Sequence, residues 1–295
     1  MEIIDIHCHT SDHRLWGLHT ESAKIFDLEK LAKKYLIKKI VLMATYFPFK
    51  GKGLPNQDLF SRIKGNKLFL MFGSLDIMNN FEKGIEELRA LAEQEIISGI
   101  KLYPGYQNFN ASDENIFPIY RLAAKFNLPV MFHTGELHHC CPWEKRQNKN
   151  YSCKNEFCWL DRLGHLSQPQ AFIGAIKNFP EVKFVLSHLS NPYFSELQNL
   201  MTDFGNVYTD ISGQFLSGTD EDDAKYRELI KDQVLRIIKI KSGIDRLMFG
   251  TDFPIQSQKD SIEMIKSLGL SEEDEKKVFY RNAAKLLNLK ENEDE

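Results

Sequence analysis

The chain has 295 residues, enough to bury the core of one large barrel or of two smaller domains. Its hydrophobic fraction of 42% and charged fraction of 27% are those of an ordinary globular protein. With 38 basic and 41 acidic residues the formal net charge is −3, so the chain lacks the basic field that proteins use to bind nucleic acid.

The sequence indicates neither a membrane segment nor a secretory signal. No apolar run approaches the roughly 18 residues needed to span a bilayer, and no basic stretch followed by an apolar block opens the chain. We therefore expect a cytoplasmic protein whose five cysteines are reduced or metal-bound. A homodimer is the default expectation for its oligomeric state, and the acidic tail, residues 290–295, is expected to be disordered.

Short apolar runs alternate with amphipathic segments along almost the whole chain, a pattern typical of parallel strands that are each followed by a helix. The predicted strands are Ile3–His7, Ile40–Ala44, Leu68–Leu75, Gly99–Tyr103, Pro129–His133, Lys183–His188, Val207–Ile211 and Arg246–Gly250. The predicted helices are Ile25–Tyr35, Gln57–Ile63, Phe81–Glu95, Ile116–Phe126, Gln170–Asn178, Ser195–Phe204, Ala224–Lys241, Lys259–Leu268, Glu272–Tyr280 and Ala283–Leu289.

Eight strand–helix units in a chain of this length favour a (β/α)8 TIM barrel that forms a single domain over residues 1–295. The alternative is an open, doubly wound parallel sheet. No glycine-rich phosphate or dinucleotide loop follows any predicted strand, which removes the main functional reason for that alternative.

The loop after the fifth strand, residues 135–168, is long for a connection of this kind and contains four of the five cysteines. One interpretation is a structural zinc site, and the other is a lid of reduced thiols over the active site. Adjacent cysteines and a C-x4-C step differ from the usual paired C-x2-C spacing, which favours the lid. The candidate ligands of a structural metal are Cys140, Cys141, Cys153 and Cys158.

The first predicted strand carries two histidines separated by one residue. Because side chains two apart in a strand share a face, we predict that Asp5, His7 and His9 point to one side. Two imidazoles aimed at one point from the end of a strand suit zinc and related ions. The residues predicted on the opposite face are Ile4, Ile6 and Cys8.

Polar side chains also follow several later strands. A (β/α)8 barrel gathers its chemistry at the carboxyl ends of the strands, and a buried imidazole or carboxylate is costly unless it is paired or binds a metal. Each such residue alone could be a hydrogen-bonded strand cap, whereas their convergence on one rim predicts a site. The residues are Lys101, His133, His188 and Asp252.

The segments that carry these residues, IDIHCHT, GIKLYP, VMFHTGE, VLSHLS and MFGTDFP, together with the closing NAAKLLNL helix, resemble the amidohydrolase superfamily. The resemblance is to its amidohydrolase-related (amidohydrolase 2) branch, which contains metal-dependent hydrolases, lactonases and decarboxylases of the carboxymuconate-semialdehyde type. It runs from the first predicted strand to the last.

The resemblance implies a role for each matching residue. His7 and His9 match the ligands of the first strand, and His133 matches the ligand of the fifth. Asp252 matches the aspartate of the eighth strand, which contacts the metal and moves a proton. His188 matches the histidine of the sixth strand, which serves the substrate or the water in mononuclear members and binds a second ion in binuclear ones. Zinc is the expected ion, with manganese, iron or cobalt as alternatives.

Lys101 has two interpretations. Some binuclear relatives carry a carboxylated lysine on the fourth strand that bridges two ions, whereas a plain ammonium would bind a substrate carboxylate or balance the charge of nearby acids. The GIKLYP setting resembles the mononuclear branch and favours one ion. Tyr103 and Glu136 are further candidates for substrate binding or a second ion, with packing and a loop hydrogen bond as the alternatives. Asp210, after the seventh strand, is a candidate substrate contact or helix cap.

The sequence therefore predicts a metal-dependent hydrolase that acts on a small amide, ester or lactone. In that chemistry the ion brings the pKa of a bound water to roughly 7, Asp252 accepts its proton and His188 stabilises the oxyanion. A non-hydrolytic lyase, a decarboxylase or hydratase acting on a carboxylated substrate, is the alternative. A catalytically idle barrel is disfavoured because the whole set of candidate ligands is present.

Overall fold

The computed structural model describes residues 2–12, 22–46, 53–137, 160–215 and 224–289. Eight parallel strands pair in chain order, each with the next. The strands are β1 (Ile3–Cys8), β2 (Ile37–Met43), β3 (Phe69–Gly73), β4 (Gly99–Leu102), β5 (Val130–Phe132), β6 (Phe184–Leu186), β7 (Val207–Asp210) and β8 (Leu247–Met248). The predicted (β/α)8 barrel is confirmed, and the strand order never reverses as a doubly wound sheet requires.

The barrel closes between β1 and the segment that follows β8. The backbone N–H of Ile6 donates to the carbonyl of Phe249 at 3.1 Å, and that of His9 donates to the carbonyl of Phe253 at 2.8 Å. Cys8 and Phe253 form a parallel bridge between the same two segments. The first and last units of the chain therefore meet at the end of the barrel that carries the two histidines.

Helices follow the strands and pack an apolar face against them. The helix Gln258–Lys266, for example, begins after Ser257, whose Oγ accepts a hydrogen bond from the N–H of Asp260 at 3.1 Å. The helices are α1 (Ile25–Tyr35), α2 (Asn56–Ile63), α3 (Phe81–Glu93), α4 (Phe117–Lys125), α5 (Leu160–Leu163), α6 (Ile173–Asn178), α7 (Phe194–Asp203), α8 (Ala224–Lys239), α9 (Gln258–Lys266), α10 (Glu272–Lys276) and α11 (Asn282–Leu286). Within the described ranges, no helix has the length and apolar character needed to cross a membrane.

Two apolar clusters account for the core. On β2, Ile40 and Leu42 pack with the helices in the larger cluster, whereas Val41 and Met43 belong to the smaller one. Because strand residues alternate between faces, the smaller cluster fills the barrel interior. Leu286 of α11 is also part of it, so the last helix packs against the interior side chains.

The prediction that Ile4, Ile6 and Cys8 share a face of β1 is wrong. Ile4 and Ile6 lie in the interior cluster, but Cys8 lies in the outer cluster with the helices. The pairing of β1 with β2 shifts register between Asp5 and Cys8. A shift of one residue reverses the faces of all the side chains that follow it, which explains the change.

Other differences concern the ends of elements. Strand β2 starts at Ile37, three residues before the predicted start, because Ile37 and Lys39 pair with Ile3 and Ile4 of β1. The predicted helix Glu272–Tyr280 is divided into α10 and a π-helical turn, Lys277–Arg281. The predicted strand Arg246–Gly250 is reduced to Leu247–Met248.

Some predictions fall on residues outside the described ranges. They include the tail 290–295 and most of the predicted insertion at 135–168, of which residues 135–137 and 160–168 are described. The candidate structural-metal ligands Cys140, Cys141, Cys153 and Cys158 are all outside the described residues.

Arg246 starts no strand because its side chain is buried beside β8 in the turn Ile244–Arg246. Its guanidinium donates hydrogen bonds of 2.7 to 3.2 Å to backbone carbonyls that come from three different segments. The acceptors are Met201, Phe204, Val207, Lys241 and Ser242. One side chain thus holds the end of α7, the start of β7 and the turn before β8 together.

We predict that Arg246→Met lowers the free energy of unfolding by about 3 kcal/mol, because it leaves several buried carbonyls without their donor. Urea unfolding followed by circular dichroism measures the change. Arg236→Met is the matched control, since Arg236 is exposed and, within the described residues, pairs with Asp232 at 2.7 Å across the helix surface. The control should change the free energy by no more than about 0.5 kcal/mol. Equal losses in the two variants would contradict this role.

Candidate metal centre

Four histidines from three strand ends lie together at the carboxyl end of the barrel. The ring centroids of His7 and His188 are 4.7 Å apart, and those of His133 and His188 are 4.9 Å apart. His9 lies 5.6 Å from His7. His7, His133 and His188 are buried, whereas His9 is partly exposed. The carboxyl ends of β1, β5 and β6 therefore place their imidazoles in one cluster.

Asp252 joins this cluster from the segment after β8. Its Oδ1 lies 3.1 Å from Nε2 of His9 and 3.5 Å from Nε2 of His7. Burial acts to raise the pKa of Asp252, but the hydrogen bond with His9 and the neighbouring imidazoles of His188 and His7 outweigh it and hold the pKa well below its ordinary value. Asp252 is therefore ionised near neutral pH.

The backbone is strained at two of these positions. Asp252 has a φ of 56°, and His188, Leu189 and Ser190 have φ values of 61°, 51° and 51°. Residues other than glycine rarely adopt this left-handed region, and each such position costs about 1–3 kcal/mol. The surrounding hydrogen bonds maintain this strain, because the N–H of His188 donates to Asp210 Oδ1 at 3.1 Å and the N–H of Asp252 donates to the carbonyl of His7 at 2.7 Å.

Strand alternation predicts that Asp5 points to the same side as His7 and His9, but in the structure its carboxylate binds Thr251. Its Oδ2 accepts a hydrogen bond from Thr251 Oγ1 at 2.7 Å, and its Oδ1 accepts one from the N–H of Thr251 at 3.1 Å. Burial raises the pKa of Asp5 to about 7 against these hydrogen bonds. Asp5 therefore connects β1 to the segment that carries Asp252.

Two residues at the end of β7 hold the Nδ1 side of the His7 ring. Its Nδ1 lies 3.2 Å from Asp210 Oδ2 and 3.0 Å from Ser212 Oγ. Burial, followed by the charge of Lys101, lowers the pKa of His7 to about 3 despite the two nearby aspartates. The imidazole is therefore neutral at neutral pH, which is the form that binds a metal ion.

Lys101 reaches the cluster from β4 and is fully buried. Its Nζ lies 3.3 Å from Nε2 of His7 and 3.2 Å from Ser187 Oγ. Burial lowers the pKa of Lys101 to about 8, against the opposing charges of Asp210 and Asp252. The predicted fourth-strand lysine is thus next to the first-strand histidine.

Tyr103 and Glu136, the two further candidates for substrate binding, make different contacts. Tyr103 is buried and donates a hydrogen bond from its hydroxyl to the carbonyl of Ala44 at 2.9 Å. The side chain of Glu136 is exposed, and it is the carbonyl of Glu136 that contacts the cluster, 3.1 Å from Nε2 of His133. Burial, with the nearby charges of His188 and Lys101, lowers the pKa of His133 well below its ordinary value.

Sequence reasoning undervalued Asp210 and missed Ser212. Asp210 Oδ1 accepts hydrogen bonds from the N–H of His188 at 3.1 Å and from the N–H and hydroxyl of Ser212. Burial acts to raise its pKa, but the interactions with His7, His188 and Ser212 keep the pKa below its ordinary value. A carboxylate at the end of β7 was a usable signal for Asp210, whereas a serine two residues later is too common to be one.

The donor set fits a divalent cation. Among the described residues, two groups have ligand atoms within 4.8 Å of one another: His7, His9 and Asp252, and His7, His188 and Asp210. The oxygens of Asp210 are already used by the four hydrogen bonds at the end of β7, so the first group is the better candidate. Imidazoles with one carboxylate suit zinc and also manganese, iron or cobalt. His133 belongs to neither of the two groups.

Solved structures with this fold include enzymes of more than one reaction type. A probable 2-pyrone-4,6-dicarboxylic acid hydrolase from Acinetobacter baumannii superposes with a TM-score of 0.66 at 15% identity, covering 98% of this chain and 100% of that chain. The 5-carboxyvanillate decarboxylase from Sphingomonas paucimobilis gives 0.65 at 14% identity, with 98% and 99% covered. An amidohydrolase from Burkholderia multivorans gives 0.71 at 13% identity, with 98% and 100% covered. At these identities the similarity shows the fold alone.

The sequence itself matches a family model over nearly its whole length. The model is that of the amidohydrolase family Amidohydro_2, and the match covers residues 4–289. The matched region contains the whole barrel sheet except Ile3, the first residue of β1, and it includes every residue of the histidine cluster. The resemblance first indicated by the strand-end motifs is therefore confirmed, and the chain belongs to the amidohydrolase family, in its amidohydrolase 2 branch.

Proposed function

We propose that this protein is a metal-dependent hydrolase that activates water to attack a small amide, ester or lactone. The observation that carries the proposal is the grouping of His7, His9 and Asp252 within 4.8 Å of one another at the carboxyl ends of the strands. In a barrel of this family, that rim is where chemistry is expected. The fold alone does not select a reaction, so the proposal depends on these side chains.

We propose His7, His9 and Asp252 as ligands of the ion, with His133 and His188 as further ligands or as substrate contacts. Zinc is our proposed ion, and manganese, iron and cobalt are the alternatives that the same donors would accept. The ion would supply Lewis acidity, which polarises a substrate carbonyl and lowers the pKa of water toward neutrality. To bind the ion, His7 would use the Nε2 lone pair that accepts a hydrogen bond from Lys101. The Lys101 ammonium would keep Ser187 Oγ as its acceptor.

Asp252 is the proposed proton acceptor. Its Oδ1 is directed to His9 and His7, whereas its Oδ2 lies 3.1 Å from the position that a Cβ on Gly213 would occupy. The same position is 3.0 Å from Nδ1 of His188. Gly213 therefore keeps the space between Asp252 and His188 free of side-chain atoms, and an ionised carboxylate beside that space can take a proton from water.

His188 is proposed to bind the ion or to contact the attacking water or the substrate. Its Nδ1 is held by Ser212 at 2.9 Å, which leaves the other ring nitrogen as an acceptor for the ion or for a hydrogen of the water or the substrate. Lys101, buried in the same cluster, is proposed to bind a substrate carboxylate or to balance the charges of Asp210 and Asp252.

A lyase is the second candidate function. Two of the structures described above are named for carboxylated compounds, one of them as a decarboxylase, and a buried ammonium such as that of Lys101 suits a carboxylate. In this reaction the carbon–carbon bond to the carboxylate breaks, carbon dioxide leaves and a proton replaces it. Asp252, ionised before the reaction, would take this proton from solvent and pass it to the carbon.

One experiment separates the two functions. We expect the purified protein to contain a divalent metal, to lose activity on chelation and to regain it when zinc, manganese, iron or cobalt is added. A screen of lactones, amides and carboxylated aromatics in 18O-labelled water should then show one 18O atom in the product of a hydrolase. Carbon dioxide without label in the organic product would instead establish the lyase, and activity that survives complete removal of metal would refute metal dependence.

We predict that Asp252→Asn lowers kcat by at least about 100-fold, because an amide cannot accept the proton. The metal content, measured by mass spectrometry, should remain close to that of the parent, since His7 and His9 are retained. Asp245→Asn is the control, because Asp245 pairs with Lys277 at 2.9 Å on the surface. Full turnover in Asp252→Asn would reject its role.

Gly213→Ala tests whether the space beside Asp252 is needed. The new methyl group would lie 3.0 Å from His188 Nδ1 and 3.1 Å from Asp252 Oδ2, so we expect kcat/KM to fall about tenfold or more. Gly269→Ala is a matched control, since its φ of 65° is close to the 64° of Gly213 but no atom lies within 4 Å of the added methyl. Both variants pay the same backbone strain of about 1–2 kcal/mol. If both lose the same activity, strain rather than the occupied space is responsible.

A further inference from the structure

His7 and His188 turn the same ring nitrogen, Nδ1, toward the end of β7 and the residues that follow it. Nδ1 of His7 lies 3.2 Å from Asp210 Oδ2 and 3.0 Å from Ser212 Oγ. Nδ1 of His188 lies 2.9 Å from Ser212 Oγ and 3.1 Å from the carbonyl oxygen of Ser212. All four residues are buried, so each of these polar atoms needs its partner.

The closer partners of His7 select one neutral tautomer. Nε2 lies 3.3 Å from Lys101 Nζ, which donates, and 3.5 Å from Asp252 Oδ1, which makes its shorter contact with His9 at 3.1 Å, so Nε2 is the nitrogen with the lone pair. Asp210 Oδ2 can only accept, so Nδ1 must carry the proton. The two constraints come from different strands, β4 and β7, and they agree.

The partners of His188 lead to the same tautomer. The carbonyl of Ser212 can only accept, so Nδ1 of His188 carries the proton. The hydroxyl of Ser212 donates its one hydrogen to Asp210 Oδ1, and its lone pairs remain for the Nδ1–H groups of His7 and His188. Every donor in this group thus has an acceptor, with Ser212 Oγ between the two rings.

We propose that Asp210 and Ser212 act as a tautomer clamp: they fix the protons of His7 and His188 on Nδ1 and so present both Nε2 lone pairs to the active site. The clamp deepens the proposed function and rests on it, because the Nε2 atoms are the ones offered to the ion or the substrate. Asp210 and Ser212 are positioning residues. An anionic acceptor behind an imidazole also makes the opposite nitrogen a stronger ligand.

Asp210→Asn should reverse the tautomer of His7. Oδ1 of residue 210 accepts from the N–H of His188, the N–H of Ser212 and the Ser212 hydroxyl, so the amide oxygen is expected to keep that position. The amide nitrogen then takes the place of Oδ2 and presents a donor to Nδ1 of His7. Nδ1 must accept, and the proton moves to Nε2, where it blocks the lone pair.

The test is 15N NMR of the metal-free protein labelled at histidine, with His7→Gln used to identify the His7 signals. In the wild type we expect Nδ1 of both His7 and His188 to carry the proton. In Asp210→Asn we expect the His7 proton on Nε2, and zinc affinity measured by competition with a chelating dye should fall about 10- to 100-fold. Thr209→Val is the matched control, since it removes a buried hydrogen bond to the Leu186 carbonyl from the same strand without touching either ring.

The outcomes are distinct. A wild-type spectrum with the His7 proton on Nε2 overturns the clamp, and this measurement needs no variant to fold. The same tautomer and zinc affinity in Asp210→Asn as in the wild type also overturns it, as does an equal loss of affinity in Thr209→Val. A wild type that binds no divalent metal refutes the proposed function, while the tautomer result still decides the clamp.

Discussion

The arrangement of the site depends on the hydrogen-bonded closure of the barrel between β1 and the segment after β8. The carbonyl of His7 accepts from the N–H groups of Thr251 and Asp252, and the carboxylate of Asp5 accepts from the backbone and side chain of Thr251. These bonds fix Asp252 in a left-handed conformation that costs free energy. Without the closure, the carboxylate of Asp252 would not lie beside the rings of His7 and His9, because these residues belong to opposite ends of the chain.

Burial then determines the charge state of the groups that the closure brings together. It lowers the pKa values of His7, His133 and His188, so the imidazoles are neutral, whereas hydrogen bonds and neighbouring rings keep Asp210 and Asp252 ionised despite the same burial. Neutral nitrogens beside carboxylates are the donor set that a divalent cation needs. Lys101 is the one cation among them in the described cluster; its ammonium lies 3.3 Å from Nε2 of His7 and interacts electrostatically with both aspartates.

Hydrolase and lyase chemistry make the same demands on this site, which is why the family and the fold do not separate them. Both use a polarised substrate carbonyl or carboxylate and a carboxylate that exchanges a proton, and the loops above the strands select the substrate. In the proposed function, the residues of the cluster serve the common part of the chemistry: Asp252 the proton, His188 and Lys101 the water or the substrate, and Asp210 with Ser212 the orientation of the rings. Asp210 and Ser212, at the end of β7, contact the histidines that follow from β1 and β6.

The sequence by itself determined the alternation of strands and helices and the polar residues at the strand ends, His7, His9, His133, His188 and Asp252, because a parallel barrel must bring such ends to one rim. It determined neither the face of Cys8, which depends on a register shift in β1, nor the exposure of the Glu136 side chain. Only the tertiary structure placed Asp210 and Ser212 behind His7, more than 200 positions away in the chain, and Lys101 on the other side of the same ring. Hydrophobic periodicity records which residues are buried along an element, but a hydrogen bond between side chains of different strands is decided by the pairing and closure of the whole sheet.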